Sequence, residues 1–161
     1  MKSAIIIPRN YLKNPVHFLA LGFGSGLLPR APGTFGTLAA IPVYWSLSHL
    51  SMAWYLAVVL LLSVAGVAIC EYTSRKLNVH DHPGIVFDEI VGYLLTMVAL
   101  PVDLGWMLAG FIAFRFFDIV KPWPISWLDK SVKGGFGIMV DDVLAALMAW
   151  LVLQFGYRFL L

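Results

Sequence analysis

No formally charged residue lies between Arg30 and Glu71, and inside that stretch two apolar runs, 38–47 and 53–70, flank the break Ser48-His49-Leu50-Ser51. The pattern predicts a helical hairpin. A span of the hydrocarbon core takes about 20 apolar residues, so the first arm is short and the second nearly adequate. Three further runs follow: 90–100, stopped by Pro101; 104–117, with Arg115 inside it; and 143–155, closing before Arg158. None alternates as a half-buried strand does. The chain reads as all-α, a compact multi-helical membrane-associated bundle of about five apolar helices, several of them short, tilted or re-entrant. With no internal repeat and no linker long enough to separate domains, residues 1–161 form one domain.

Composition explains why lipid enters this reading. The chain is 60% hydrophobic and 12% charged, about half the charge of an ordinary soluble domain, and its mean hydropathy is +0.84. Too little polar surface remains to coat a water-soluble sphere, and disordered, collagen-like and coiled-coil chains are excluded as well. The single Cys70 excludes an internal disulfide framework and a multi-cysteine zinc cage; on an apolar helix it reads as packing. A net charge of +2 is too small to suggest nucleic acid. The N-terminal apolar run 4–7, broken by Pro8, is too short for a signal-peptide core, so insertion relies on internal segments.

Charge placement predicts sidedness. Lys2, Arg9, Lys13 and Arg30 precede the hairpin, Arg75 and Lys76 follow it, and Lys121, Lys130 and Lys133 separate the fourth and fifth runs, while the intervening turns hold no Lys or Arg. By the positive-inside rule these three segments face the cytoplasm. Glu71, Asp81, Asp88, Glu89, Asp118, Asp129, Asp141 and Asp142 lie in or beside them, and Asp103 is opposite. Nearly all chemistry-bearing groups are thus expected at one membrane surface.

Four blocks carry the candidate chemistry. In GFGSGLLPRAPGTFGT (22–37), five glycines and two prolines precede an apolar helix without forming a dinucleotide fingerprint or a P-loop. Its amides, with Ser25, Arg30, Thr34 and Thr37, can hold a phosphate at a helix N-terminus; alternatively the block is a bend with Thr34 or Thr37 as N-cap. In HDHPGIVFDEIVG (80–92), two histidines and three carboxylates in ten residues suit a metal or proton-transfer site, although His80 and Asp81 read rather as a polar juxtamembrane loop. One side chain can cap the helix that follows, but the adjacent pair Asp88 and Glu89 adds repulsion that a cation would relieve. FRFFDIVKPWPI (114–125) puts Arg115, Asp118 and Lys121 on one helix face in an apolar segment, where ionisable groups are costly and mark either a functional group or an internal Arg115–Asp118 ion pair with Lys121 reaching the surface; its Trp-Pro run reads as an interfacial anchor and helix stop. GGFGIMVDDVLA (134–145) delivers a second acidic pair, Asp141 and Asp142, to the start of the fifth helix. Paired carboxylates suit a hard cation such as Mg²⁺, completed by water and substrate phosphate. His17 and His49 read as isolated and interfacial.

Together the four blocks, in order and at compatible spacing across about residues 14–155, closely resemble the phosphatidylglycerophosphatase A family. The resemblance implies an all-helical enzyme of the bacterial cytoplasmic (inner) membrane, multi-pass, with its active site facing the cytoplasm. It implies Mg²⁺-dependent hydrolysis of phosphatidylglycerol phosphate to phosphatidylglycerol and inorganic phosphate. In that reading Asp88, Glu89, Asp118, Asp141 and Asp142 hold metal and activate water, with Asp88 or Glu89 as base. Arg115 and Lys121, aided by amides around Gly33 and the Thr34 hydroxyl, neutralise the phosphate, and His82 protonates the leaving oxygen. Two other classes are open to such a sequence: a CDP-alcohol-type lipid phosphotransferase, whose D-x₂-D-G-x₂-A-R pattern is missing, and a membrane cation carrier, which needs its acids near mid-membrane.

Overall fold

The computed structural model describes residues 7–159, so the expectation that Lys2 faces the cytoplasm lies outside it. Seven α-helices and no strand occur among the described residues: α1 (Pro15–Ala20), α2 (Pro32–Leu47), α3 (Met52–Leu77), α4 (Phe87–Thr96), α5 (Leu104–Val120), α6 (Ile125–Ser131) and α7 (Gly134–Phe159), with 3₁₀ turns at Arg9–Lys13 and Gly22–Leu27. The five apolar runs fall on α2, α3, α4, α5 and α7. The short helices α1 and α6 were not expected, because six or seven residues are too few for periodicity to register. The Trp-Pro run therefore stops α5 but also leads into α6.

Helix boundaries differ from the apolar runs for tertiary reasons. α2 starts at Pro32, with Ala31 in the left-handed region at φ 48 as its N-cap residue. Neither Thr34 nor Thr37 caps it; the Thr37 hydroxyl donates within the helix to the Gly33 carbonyl at 2.9 Å. α4 ends at Thr96 rather than at Leu100. The Val98 carbonyl accepts from Trp150 Nε1 at 2.9 Å and from Gln154 Nε2 at 3.0 Å, so a neighbouring helix satisfies what the next turn would have used.

α7 corrects the placement of the second acidic pair. It starts at Gly134, so Asp141 and Asp142 lie two turns inside the helix and not at its start. The Gly134 N–H donates to His80 Nε2 at 2.8 Å, and the Gly135 N–H donates to the Glu71 carboxylate of α3. These bonds take up orphan donors of the helix terminus. A Cβ on Gly135 would collide with the Val67 carbonyl, so this close approach requires glycine.

The chain runs up and down between two ends. Gly33, Asp88, Glu89, Asp118 and Asp141 meet at one end, and Tyr44, Met52, Leu100 and Val102 meet at the other. α4 is the central helix, buried along nearly its whole length against α2, α3, α5 and α7. Tyr93 and Phe114, both fully buried, anchor this core, and the Tyr55 hydroxyl donates to the Leu94 carbonyl at 2.7 Å.

α3 and α7 are 26 residues each, about 39 Å at about 1.5 Å per residue, enough to cross a hydrocarbon core of about 30 Å. Both are apolar enough to do so. The outer surface is apolar too: Leu60, Leu61 and Val64 of α3, Ile112 and Phe116 of α5, and Leu151, Val152 and Phe155 of α7 are exposed. Exposed Trp45 and Trp54 sit at the far end and exposed Trp123 and Trp127 at the acidic end, the two-belt arrangement of a protein whose solvent is a bilayer. Asp103, at the far end, caps α5 by accepting from the Trp106 N–H at 3.0 Å.

Candidate active site

At the acidic end the start of α2, the 81–85 turn, the start of α4, the end of α5 and the first turns of α7 line an open cavity of about 290 Å³. Six carboxylates line it, from Asp81, Asp88, Glu89, Asp118, Asp141 and Asp142, against the two cations Arg115 and Lys121. Asp88 and Glu89 occupy the first turn of α4, where the helix dipole favours negative charge. Neither is its cap, because Val86 holds that position without a side-chain bond.

Arg115 is the hub of one wall. Its Nη1 pairs with Asp118, one turn along α5, and lies 3.6 Å from Glu89 Oε1. Gly33 faces this group; a Cβ there would meet Glu89 Oε1 and come within 3.1 and 3.2 Å of the two guanidinium nitrogens. Lys121 ends α5 in the left-handed region at φ 44. Its ammonium, on a half-buried side chain, bonds Asp129 Oδ1 at 2.7 Å and Asp141 Oδ2 at 2.5 Å. Burial works against the Lys121 charge, yet the bonds to Asp129 and Asp141 outweigh it and hold its pKa above the ordinary lysine value.

The acids are only partly compensated by these two cations. Asp88, Glu89 and Asp142 each offer an oxygen within 4.8 Å of the others. Asp88 Oδ1, Glu89 Oε2, Asp141 Oδ1 and Asp142 Oδ2 are all buried without a hydrogen-bond partner. Burial, then the neighbouring Glu89 charge, raises Asp88 well above the carboxylate range. Burial, then Asp142, pushes Glu89 up to about 8. Unpartnered buried carboxylate oxygens are expensive. A hard divalent cation is the partner that this all-oxygen donor set fits.

Other expected residues lie elsewhere. Ser25 donates to the Gly22 carbonyl at 2.7 Å inside its own turn, Arg30 is exposed, and neither they nor Thr34 line the cavity. His82 is buried in the adjoining turn, where its Nδ1 accepts from the Gly84 N–H at 3.0 Å; it too stays off the cavity wall. His17 is not isolated but buried, bonded through Nδ1 to Thr73 Oγ1 at 2.9 Å and stacked between Tyr11 and Tyr72. Cys70 packs against Met139, with 4.0 Å between the sulfurs.

Sequence reasoning missed Asp129, which pairs with Lys121, and the anchoring of α7 by Glu71 and His80. It also read Asp81, a wall residue, as plain loop. Asp129 carries no motif, whereas Asp81 stands in the ten-residue stretch of two histidines and three carboxylates, where the loop reading was preferred for it.

A helical bundle with an apolar outer surface and, at one end, a carboxylate-rich cavity whose Asp88, Glu89 and Asp142 could hold a metal defines a membrane-associated helical protein with a candidate metal site. The comparisons narrow the class. A sequence model of phosphatidylglycerophosphatase A matches residues 18–157, and the chain belongs to that family. The phosphatidylglycerophosphatase A of Escherichia coli strain K12 is 48% identical over 145 residues, 89% of this chain and 84% of the relative. That of Haemophilus influenzae Rd is 48% identical over 143 residues, 88% of each. No solved structure matches the chain.

Proposed function

We propose that the protein hydrolyses phosphatidylglycerol phosphate to phosphatidylglycerol and inorganic phosphate at the cytoplasmic face of a bacterial inner membrane, with Mg²⁺. The observation that carries this reading is the charge of the cavity. Six carboxylates against two cations would repel a phosphate dianion from a site of low dielectric. A divalent cation held by Asp88, Glu89 and Asp142 would offset that charge and allow a phosphate to bind beside it. Family membership supplies the substrate class, and the concentration of Lys and Arg beside the acidic end supports the sidedness.

Asp88, Glu89 and Asp142 would hold the metal, with Asp118 and Asp141 beside them. When bound, Mg²⁺ supplies charge neutralisation and Lewis-acid polarisation of phosphoryl oxygens. Arg115 orients the phosphate: Asp118 and Glu89 fix its guanidinium, and its buried Nε is an unpartnered donor. Glu89, adjacent to Arg115, takes the proton of the attacking water; Asp88 beside it is the alternative base. Lys121, held by Asp129, keeps Asp141 in place and adds positive charge to the wall. Breaking the P–O bond transfers the phosphoryl group to water, and the leaving glycerol oxygen takes a proton from the acid cluster.

Phosphate release from phosphatidylglycerol phosphate in detergent micelles, with Mg²⁺ and with a chelator, tests this directly. Turnover that needs Mg²⁺ is expected. Undiminished turnover in chelator sinks the metal, and no release under any divalent ion sinks the phosphatase.

A further inference from the structure

Ile119 lines the acid cavity and is also 68% exposed on the outside of the bundle; among the described residues no other large apolar side chain on that wall is exposed. From it an apolar stripe descends α5 through Phe116 and Ile112, both exposed, at the three- and four-residue spacing of one helix face. On the α2 rim, Pro32 lines the cavity and Phe35, one turn further, is exposed. Trp123, 78% exposed just beyond α5, marks the level of the headgroups. The cavity therefore opens where headgroups meet acyl chains, with Arg115 and the carboxylates inside and an apolar stripe running from the opening toward the bilayer centre. The opposite wall differs. An adjoining cavity of about 210 Å³, sharing Asp81 and Asp141, is lined by His80, Asp129 and Lys133 and suits water rather than a lipid tail.

We infer that the cleft between the start of α2 and the end of α5 is a lateral port for the lipid substrate, whose acyl chain lies along Ile119, Phe116 and Ile112 while its phosphate enters the cavity. This rests on the lipid-phosphatase reading and adds where the lipid docks. The complementarity is that of an amphiphile: an anion-binding pocket joined to an apolar track, a combination that a water-soluble phosphomonoester does not use.

The test compares dioleoyl phosphatidylglycerol phosphate in mixed micelles with its monomeric dibutanoyl analogue, using the double variant Ile112→Ala, Phe116→Ala. The control is Leu60→Ala, Leu61→Ala, also exposed and apolar, on α3, which packs against α1, α4 and α7. Losing two acyl contacts is expected to lower kcat/KM for the dioleoyl lipid about tenfold, mainly through KM, and to change the dibutanoyl value less than about twofold. The control should alter neither. Equal loss on both substrates, no loss on either, or the same loss in the control overturns the port. So does a change of oligomeric state in the double variant, which makes this face a contact between copies. Wild-type protein that releases phosphate from neither lipid removes both the port and the phosphatase reading; an active wild type with an indifferent double variant removes the port alone.

Discussion

Gly33→Ala separates a catalytic requirement for glycine from a merely helical one, because the two predict opposite signs. Gly33 lies in the first turn of α2, where alanine is favoured over glycine by about 0.5 to 1 kcal/mol in a helix. If Gly33 served only the helix, the variant would be neutral or slightly more stable and fully active. Its added Cβ, however, would meet Glu89 Oε1 and lie 3.1 and 3.2 Å from the Arg115 guanidinium nitrogens. Asp118 pins that guanidinium from the other side, so Glu89 and Arg115 must both retreat. A displacement of about 1 Å in a positioning group lowers rate by about 100-fold. Phosphate release should therefore fall by about two orders of magnitude, while the thermal unfolding midpoint in detergent holds or rises slightly. Gly156→Ala, where nothing lies within 4 Å of the new Cβ, is the matched control and should keep full activity. Near-normal turnover by Gly33→Ala would refute the close approach of α2 to the Glu89–Arg115 pair as a catalytic feature.

Asp88→Asn and Asp142→Asn should each lower activity at least about 100-fold yet raise the unfolding midpoint in chelator, because each removes a charge from a crowded buried cluster; full activity in both would return these acids to a structural role. Stability without divalent ions should depend on pH with a definite sign. Glu89 moves from an unfolded value of 4.5 up to about 8, so its contribution is complete below pH 4.5 and lost as pH rises through about 8. Thermal melts in chelator should therefore fall between pH 5 and 8.5, with Mg²⁺ stabilising most at the upper end; a flat or rising profile contradicts the excess of buried carboxylates over cations. Cys70→Ser should retain most phosphate release, since Cys70 packs on Met139 away from the cavity wall; loss of activity in folded protein would implicate the thiol.

Helices were legible in the sequence because a bilayer offers the backbone no hydrogen-bond partners, so long apolar runs such as 53–70 and 143–155 have little alternative to helix. The acidic pairs were legible because adjacent carboxylates beside apolar runs are costly and need a reason. Their convergence was implied by the family resemblance and not by local spacing. Asp142 reaches Asp88 and Glu89 from more than fifty residues away only because α7 packs along α4, and α7 takes its start from Glu71 and His80, residues outside its own sequence. Lys121 was expected either to bind phosphate or to reach the surface; its bonds to Asp129 of α6 and Asp141 of α7 depend on helices that its own segment does not contain. Residue types and spacing determined which groups could act at the membrane surface, since polarity and helix periodicity are local properties. Which of them share one cavity was decided by helix packing, where contacts such as Gly33 against Arg115 and Gly135 against Val67 depend on backbones approaching from distant segments of the chain.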